Sequence, residues 1–195
     1  MATIKEMRDI LEASLPKKRF GHSLLVYETA KKMADHHRVD KEKVAIGALL
    51  HDCGRQIPTG QLLDKSRELG LDIDWVEENQ PILLHAKLGV YYAREKYGVT
   101  DLEILDAIAL HTTGDAGMSD IAKIVYLADL LEPSRDFPGI GDLRKLAEKD
   151  LDRAMLKAYT NTMRYLMDYD LLIHPRAVAG YNEIAARYKK ESRNK

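Results

Sequence analysis

Histidine and carboxylate side chains stand at helical spacing on faces that are otherwise apolar, and such a placement can do chemistry. His22 shares a stripe with Leu25, Val26, Thr29 and Met33, and His85 shares one with Ile82, Gly89 and Tyr92. His111 follows Ile104, Ala107 and Ile108 on one face. His51 ends a stripe through Val44, Gly47 and Ala48 with Asp52 directly after it, and Asp129 follows Ile121 and Val125. Residues three and four apart lie on one side of a helix, so these polar groups point toward the core. Burying one polar group without a partner costs roughly 1–3 kcal/mol, and a lone carboxylate much more. A single inward histidine is ordinarily a hydrogen-bonded core residue. Five inward polar groups on five helices have a common solution, which is to converge on metal ions, as helix bundles do. The remaining histidines read differently. His36 and His37 lie in the polar run MADHHRVDK and His174 precedes Pro175, so all three are expected to face solvent.

Apolar spacing is helical nearly everywhere, and no run alternates in the manner of a strand. The pattern predicts helices over 3–14, 18–38, 41–53, 60–69, 81–97, 101–112, 119–131, 142–148, 150–169 and 176–191. Thr100 and Glu103 have capping-box spacing, in which each side chain satisfies a free backbone donor of the first turn. Ser119 suits an N-cap, Pro81 and Pro175 suit the first helical position, and Gly98 suits a helix end. The stretch PSRDFPGIG, residues 133–141, is the clearest irregular segment, and ordered loops of this kind often carry function.

The chain has 195 residues, with 30 Lys plus Arg against 31 Asp plus Glu. That balance advertises no nucleic-acid or membrane partner. The single cysteine, Cys53, excludes an intramolecular disulfide and a Cys-rich zinc knuckle, and a small buried residue is the expected role. The first residues lack a signal-peptide core, and no stretch approaches the ~18 apolar residues of a membrane span. The expected setting is cytoplasmic.

The His51-Asp52 pair, with His22 before it and Asp129 after it, resembles the H…HD…D signature of HD-domain phosphohydrolases. The stretches RFGHSLLVYETAKKMA, ALLHDCGRQIP, LLHAKLGVYYA, ALHTTGDAGMS and IVYLADLLEPSRDFPG resemble the YqeK-type bacterial members segment by segment. The resemblance implies an all-α fold: a single HD-domain helical bundle over 1–195, with its metal-binding core at about 18–132 and a C-terminal helical extension at 142–191. It also implies a symmetrical hydrolase of diadenosine tetraphosphate that depends on a two-iron centre. One departure is visible, since many HD proteins carry lysine where this chain has Arg55, a planar fork in place of a point charge.

Carried over residue by residue, His22, His51, Asp52 and Asp129 are expected to hold one metal, and Asp52, His85 and His111 the other, with Asp52 bridging. A nitrogen and oxygen donor set suits iron, manganese or zinc, and iron comes from the resemblance. Two ions ~3.5–4 Å apart would acidify a bridging water to hydroxide and neutralise charge at phosphorus. Asp52, Arg55 and His111 are the expected catalytic residues. Arg19, Arg55, Thr112, Thr113, Asp115 and Arg135 are candidates for binding a polyphosphate, the arginines through bidentate contacts. Alternatives are an HD-type nucleotidase acting on mono-, di- or triphosphates, and a non-catalytic nucleotide or metal sensor. Partners expected are a nucleotide substrate and a second copy in a homodimer, with no nucleic acid and no membrane.

Overall fold

A computed structural model describes residues 1–193. The described residues form helices and turns without a strand. The helices are α1 (Ile4–Ser14), α2 (Lys17–His37), α3 (Lys41–Leu50), α4 (Leu62–Glu68), α5 (Trp75–Asn79), α6 (Leu84–Glu95), α7 (Leu102–Leu110), α8 (Asp120–Leu131), α9 (Ile140–Ala147), α10 (Leu151–Asp168) and α11 (Pro175–Arg193). Short 3₁₀ turns cover Cys53–Gln56, Thr59–Gln61 and Pro81–Leu83. No described helix is long and apolar enough to cross a membrane.

The segment VAIGALL, Val44 to Leu50, is apolar on every side and buried throughout, so α3 must lie at the centre. Its Val44 and Ala48 face one hydrophobic cluster, with Val26, Ala107, Val125 and Met155. Its Ala45, Ile46, Leu49 and Leu50 face a second, with Met7, Leu11, Leu62, Leu88 and Ile108. The helix is therefore a spine between two half-cores, and whatever follows Leu50 emerges in the middle of the bundle. Ala154, Met155, Ala158 and Tyr159 of α10 and Ile184 of α11 belong to the first cluster, so the C-terminal helices complete the same core.

Local chemistry fixes several boundaries. Ser119 caps α8 by accepting from Ala122 N–H, as its position predicts. The box expected at Thr100 and Glu103 is not formed. Asp101 is the N-cap instead, accepting from the N–H groups of Glu103 and Ile104, and Glu103 turns outward to Lys43 Nζ at 2.6 Å. An ionised carboxylate meets both the free donors and the positive end of the helix, which favours it over a hydroxyl. Gly98 adopts φ 67°, a left-handed conformation that a side chain strains. Its N–H donates to Arg94 O and that of Val99 to Ala93 O, which satisfies two carbonyls at the end of α6.

Candidate metal centre

His51 and His111 are the C-caps of α3 and α7, and Asp129 lies in the last turn of α8. The negative ends of three helices thus meet where a cation is favoured. His22 enters from α2 and His85 from α6. The approach of His85 depends on Gly54. A methyl group there would strike the His85 carbonyl and lie 2.7 Å from Gly89 N, and backbone cannot yield as a side chain can. The glycine lets the turn after Asp52 lie flat on α6.

All six side chains come together around Asp52. His85 Nε2 is 3.3 Å from Asp52 Oδ1 and His111 Nε2 is 3.8 Å from it. His51 Nε2 is 3.7 Å and His22 Nε2 4.0 Å from Asp52 Oδ2, and His22 Nε2 is 2.9 Å from Asp129 Oδ1. Donor atoms of His22, His51 and Asp129 lie within 4.8 Å of one another, and so do those of His51, Asp52 and His111. His85 adjoins the second group, its Nε2 2.9 Å from His111 Nε2.

The hydrogen-bond pattern tests whether this donor set fits metal. His51 Nδ1 faces Ala48 O, His85 Nδ1 faces Ile82 O and His111 Nδ1 faces Ile108 O. A carbonyl can only accept, so each Nδ1 carries the hydrogen and each Nε2 presents a lone pair. His51 Nε2 is buried with no hydrogen-bond partner, and the lone pairs of His85 and His111 face each other. Bound cations resolve both features, and outward Nδ1–H donation is how metal-ligating histidines are usually oriented. The residues fit divalent metal.

Electrostatics point the same way. Burial, reinforced by the neighbouring histidine, pushes His85 down to about 3 and His111 down to about 4, so both rings are neutral donors near pH 7. Burial alone would raise Asp52, but His51, His85, His111 and Arg55 hold its carboxyl below the usual range. Asp129 is likewise held well below its ordinary value, with the adjacent His22 ring and nearby positive charge outweighing burial. For His22, burial is outweighed by Asp129 and Asp52, and its pKa rises.

Three guanidinium groups rim the cluster. Arg19 Nη1 is 3.1 Å from Asp52 Oδ2, Arg55 Nε is 3.2 Å from Asp52 Oδ1, and Arg135 Nη2 is 2.7 Å from Asp129 Oδ1. The other polyphosphate candidates follow His111 in the chain. Thr113 is buried and donates its hydroxyl to Gly114 O, while Thr112 is half-buried beside His111. Asp115 turns away, its Oδ2 3.6 Å from Arg176 Nε of α11.

Two histidines expected in solvent are not there. His174 is buried and its Nε2 is 2.8 Å from Asp74 Oδ2, because the turn before α11 folds onto the N-terminus of α5. His37 is half-buried and donates to Ala147 O at 2.7 Å. His36 is exposed. Cys53 is buried and donates to Gly89 O, and burial pushes its thiol well up. A further grouping, Asp74, Glu77 and His174, is satisfied internally: Asp74 and Glu77 form the capping box of α5, and Lys87 pairs with Glu77.

Two residues beside the centre escape a reading by periodicity. Glu132, just past α8, is buried with Oε1 3.3 Å from His22 Nδ1. Arg144 on α9 bonds the carbonyls of Leu131, Glu132 and Arg135. The only sequence signal is that both flank the irregular stretch.

Comparison with known proteins adds relatives to this geometry. The family model for the HD domain matches residues 19–134. The chain is 35% identical over 172 residues to a symmetrical bis(5'-nucleosyl)-tetraphosphatase of Bacillus subtilis, covering 88% of this chain and 92% of that protein. It is 34% identical to a protein of the same description from Halalkalibacterium halodurans, covering 92% and 96%. A crystal structure of a predicted HD superfamily hydrolase involved in NAD metabolism, from Clostridium acetobutylicum, superposes with a TM-score of 0.90 at 34% identity, covering 96% and 99%. With the model matched across the helices that carry all six side chains, the chain belongs to the HD domain family.

Proposed function

We propose that this chain is a metal-dependent phosphohydrolase that cleaves diadenosine tetraphosphate symmetrically into two molecules of ADP. The observation that carries the hydrolase reading is one nest of six nitrogen and oxygen donors, four of them buried, rimmed by three guanidinium groups. In the assignment we favour, His22, His51, Asp52 and Asp129 hold one ion and Asp52, His85 and His111 the second. Iron is preferred, and manganese or zinc suits the same donors. Such ions, when bound, acidify water toward neutral pH and place positive charge against phosphate oxygens.

The protein's own part is positioning and charge. Asp52 and Asp129 are ionised, and His85 and His111 are neutral near pH 7, so these four donors are ready without losing a proton. Arg19, Arg55 and Arg135 can each grip phosphate oxygens as a fork, which suits a long polyanion. Phosphoryl transfer requires mainly alignment and neutralisation of charge. The departing nucleoside diphosphate is stable as an anion, since a phosphate loses its second proton near pH 6. No side chain need supply it with a proton.

The position of the cut is supported by the relatives from B. subtilis and H. halodurans, whose names state symmetrical cleavage. Water then attacks a β-phosphorus. Product chromatography in isotopically heavy water tests this, and two ADP with the label on one β-phosphate are expected. ATP plus AMP would mean an asymmetric cut. Rapid turnover of a nucleoside monophosphate beside none of diadenosine tetraphosphate would instead identify a nucleotidase.

A further inference from the structure

Four histidines meet at the centre, and three of them are oriented by main chain. His51 and His111 find their acceptors, Ala48 O and Ile108 O, in the last turns of α3 and α7, where carbonyls lack a partner further along the helix. His85 uses Ile82 in the 3₁₀ turn before α6. His22 differs. It sits inside the 21-residue helix α2, past the first turn, where the neighbouring carbonyls already belong to the helical ladder. The acceptor that faces its Nδ1 comes from another element.

Glu132 stands in that place. Its Oε1 is 3.3 Å from His22 Nδ1, and the residue is 1% exposed. An ionised carboxylate can only accept, so it selects the ring form with hydrogen on Nδ1 and the lone pair on Nε2. That Nε2 is the atom beside Asp129 and Asp52, and it lacks hydrogen-bond geometry to either, so only Nδ1 has an acceptor. Glu132 is itself tied down: Ser134 donates its N–H to Oε2 at 2.7 Å and its hydroxyl to Oε1 at 2.5 Å. Arg144 then pins the backbone of the segment through Leu131 O, Glu132 O and Arg135 O. Asp129 and Glu132 are three residues apart, so one short stretch delivers a candidate ligand and the acceptor that orients its neighbour.

We infer that Glu132 is a positioning residue that fixes the ring form of His22, presenting Nε2 to the ion shared with His51 and Asp129, on a loop that Ser134 and Arg144 hold in place. This rests on the metal-centre reading above. Loss of an outer acceptor of this kind typically lowers metal affinity about 10–100-fold.

The test reads the ring directly. Nitrogen NMR of the full-length chain, labelled at histidine nitrogen, locates the ring hydrogen of His22 at alkaline pH without metal or substrate. Wild type should carry it on Nδ1. Glu132→Ala should move it to Nε2, the form favoured by an imidazole in water, while Glu132→Gln should keep it on Nδ1 because the amide oxygen still accepts. Titration with manganese should show one of two equivalents weakened about 10–100-fold in Glu132→Ala, and less in Glu132→Gln. Wild-type protein with the hydrogen on Nε2 overturns the inference with no variant needed. So does a Glu132→Ala chain that keeps it on Nδ1 and binds both equivalents as tightly as wild type. Because the ring form is read without turnover, its failure leaves the hydrolase reading standing, and a chain inactive on diadenosine tetraphosphate leaves this measurement intact.

Discussion

Replacing Asp52 by alanine is expected to lower kcat/KM by about 10³- to 10⁵-fold, the largest effect of any single substitution in the chain. Its two oxygens face all four histidines and both Arg19 and Arg55. Removing it takes away the group proposed to join two ions and leaves two guanidinium groups without their carboxylate. Metal ions contribute several kcal/mol of transition-state stabilisation, and each ~1.36 kcal/mol is a factor of ten in rate. Steady-state kinetics checks the expectation, and thermal unfolding of the same sample shows that the variant remains folded. An alanine variant within tenfold of wild type would remove Asp52 from the centre.

His85→Ala is the second large effect. This ring touches the cluster on one side only, through Asp52 Oδ1 and His111 Nε2. The donors His22, His51, Asp52 and Asp129 all survive its loss. Metal content should therefore fall from two equivalents per chain toward one, with a loss of about 10²-fold or more in kcat, because a lone ion would supply less positive charge against the phosphate oxygens. Paired elemental analysis and kinetics on the variant check this. Two equivalents retained with undiminished turnover would mean that His85 is a core histidine held by Ile82 O and nothing more.

The part of this site legible in the sequence is the part that obeys helical periodicity. His22, His51, His85, His111 and Asp129 each interrupt an apolar stripe, and the stripe says which way the side chain points. VAIGALL names the central helix because it has no polar face, and His51-Asp52 follows it into the core. Residues beyond helix ends carry no such signal. Glu132 is one position past α8, and its partners His22, Ser134 and Arg144 lie outside any stripe it could share.

His174 illustrates the same limit. A residue before proline reads as an exposed turn, but its partner Asp74 is 100 positions away in the chain. α5 had a local signal, since Asp74 and Glu77 stand at capping-box spacing, but Trp75–Asn79 is too short to develop an apolar stripe. At α7, the same spacing rule pointed to Thr100, and the stronger cap at Asp101 prevailed.

Metal content bears most directly on the proposed centre. Full-length protein purified without chelator and submitted to elemental analysis is expected to contain two transition-metal equivalents per chain, iron foremost, with hydrolysis lost when they are stripped. Protein that contains no transition metal and hydrolyses diadenosine tetraphosphate equally well in the presence of a chelator would contradict a metal centre at these six side chains.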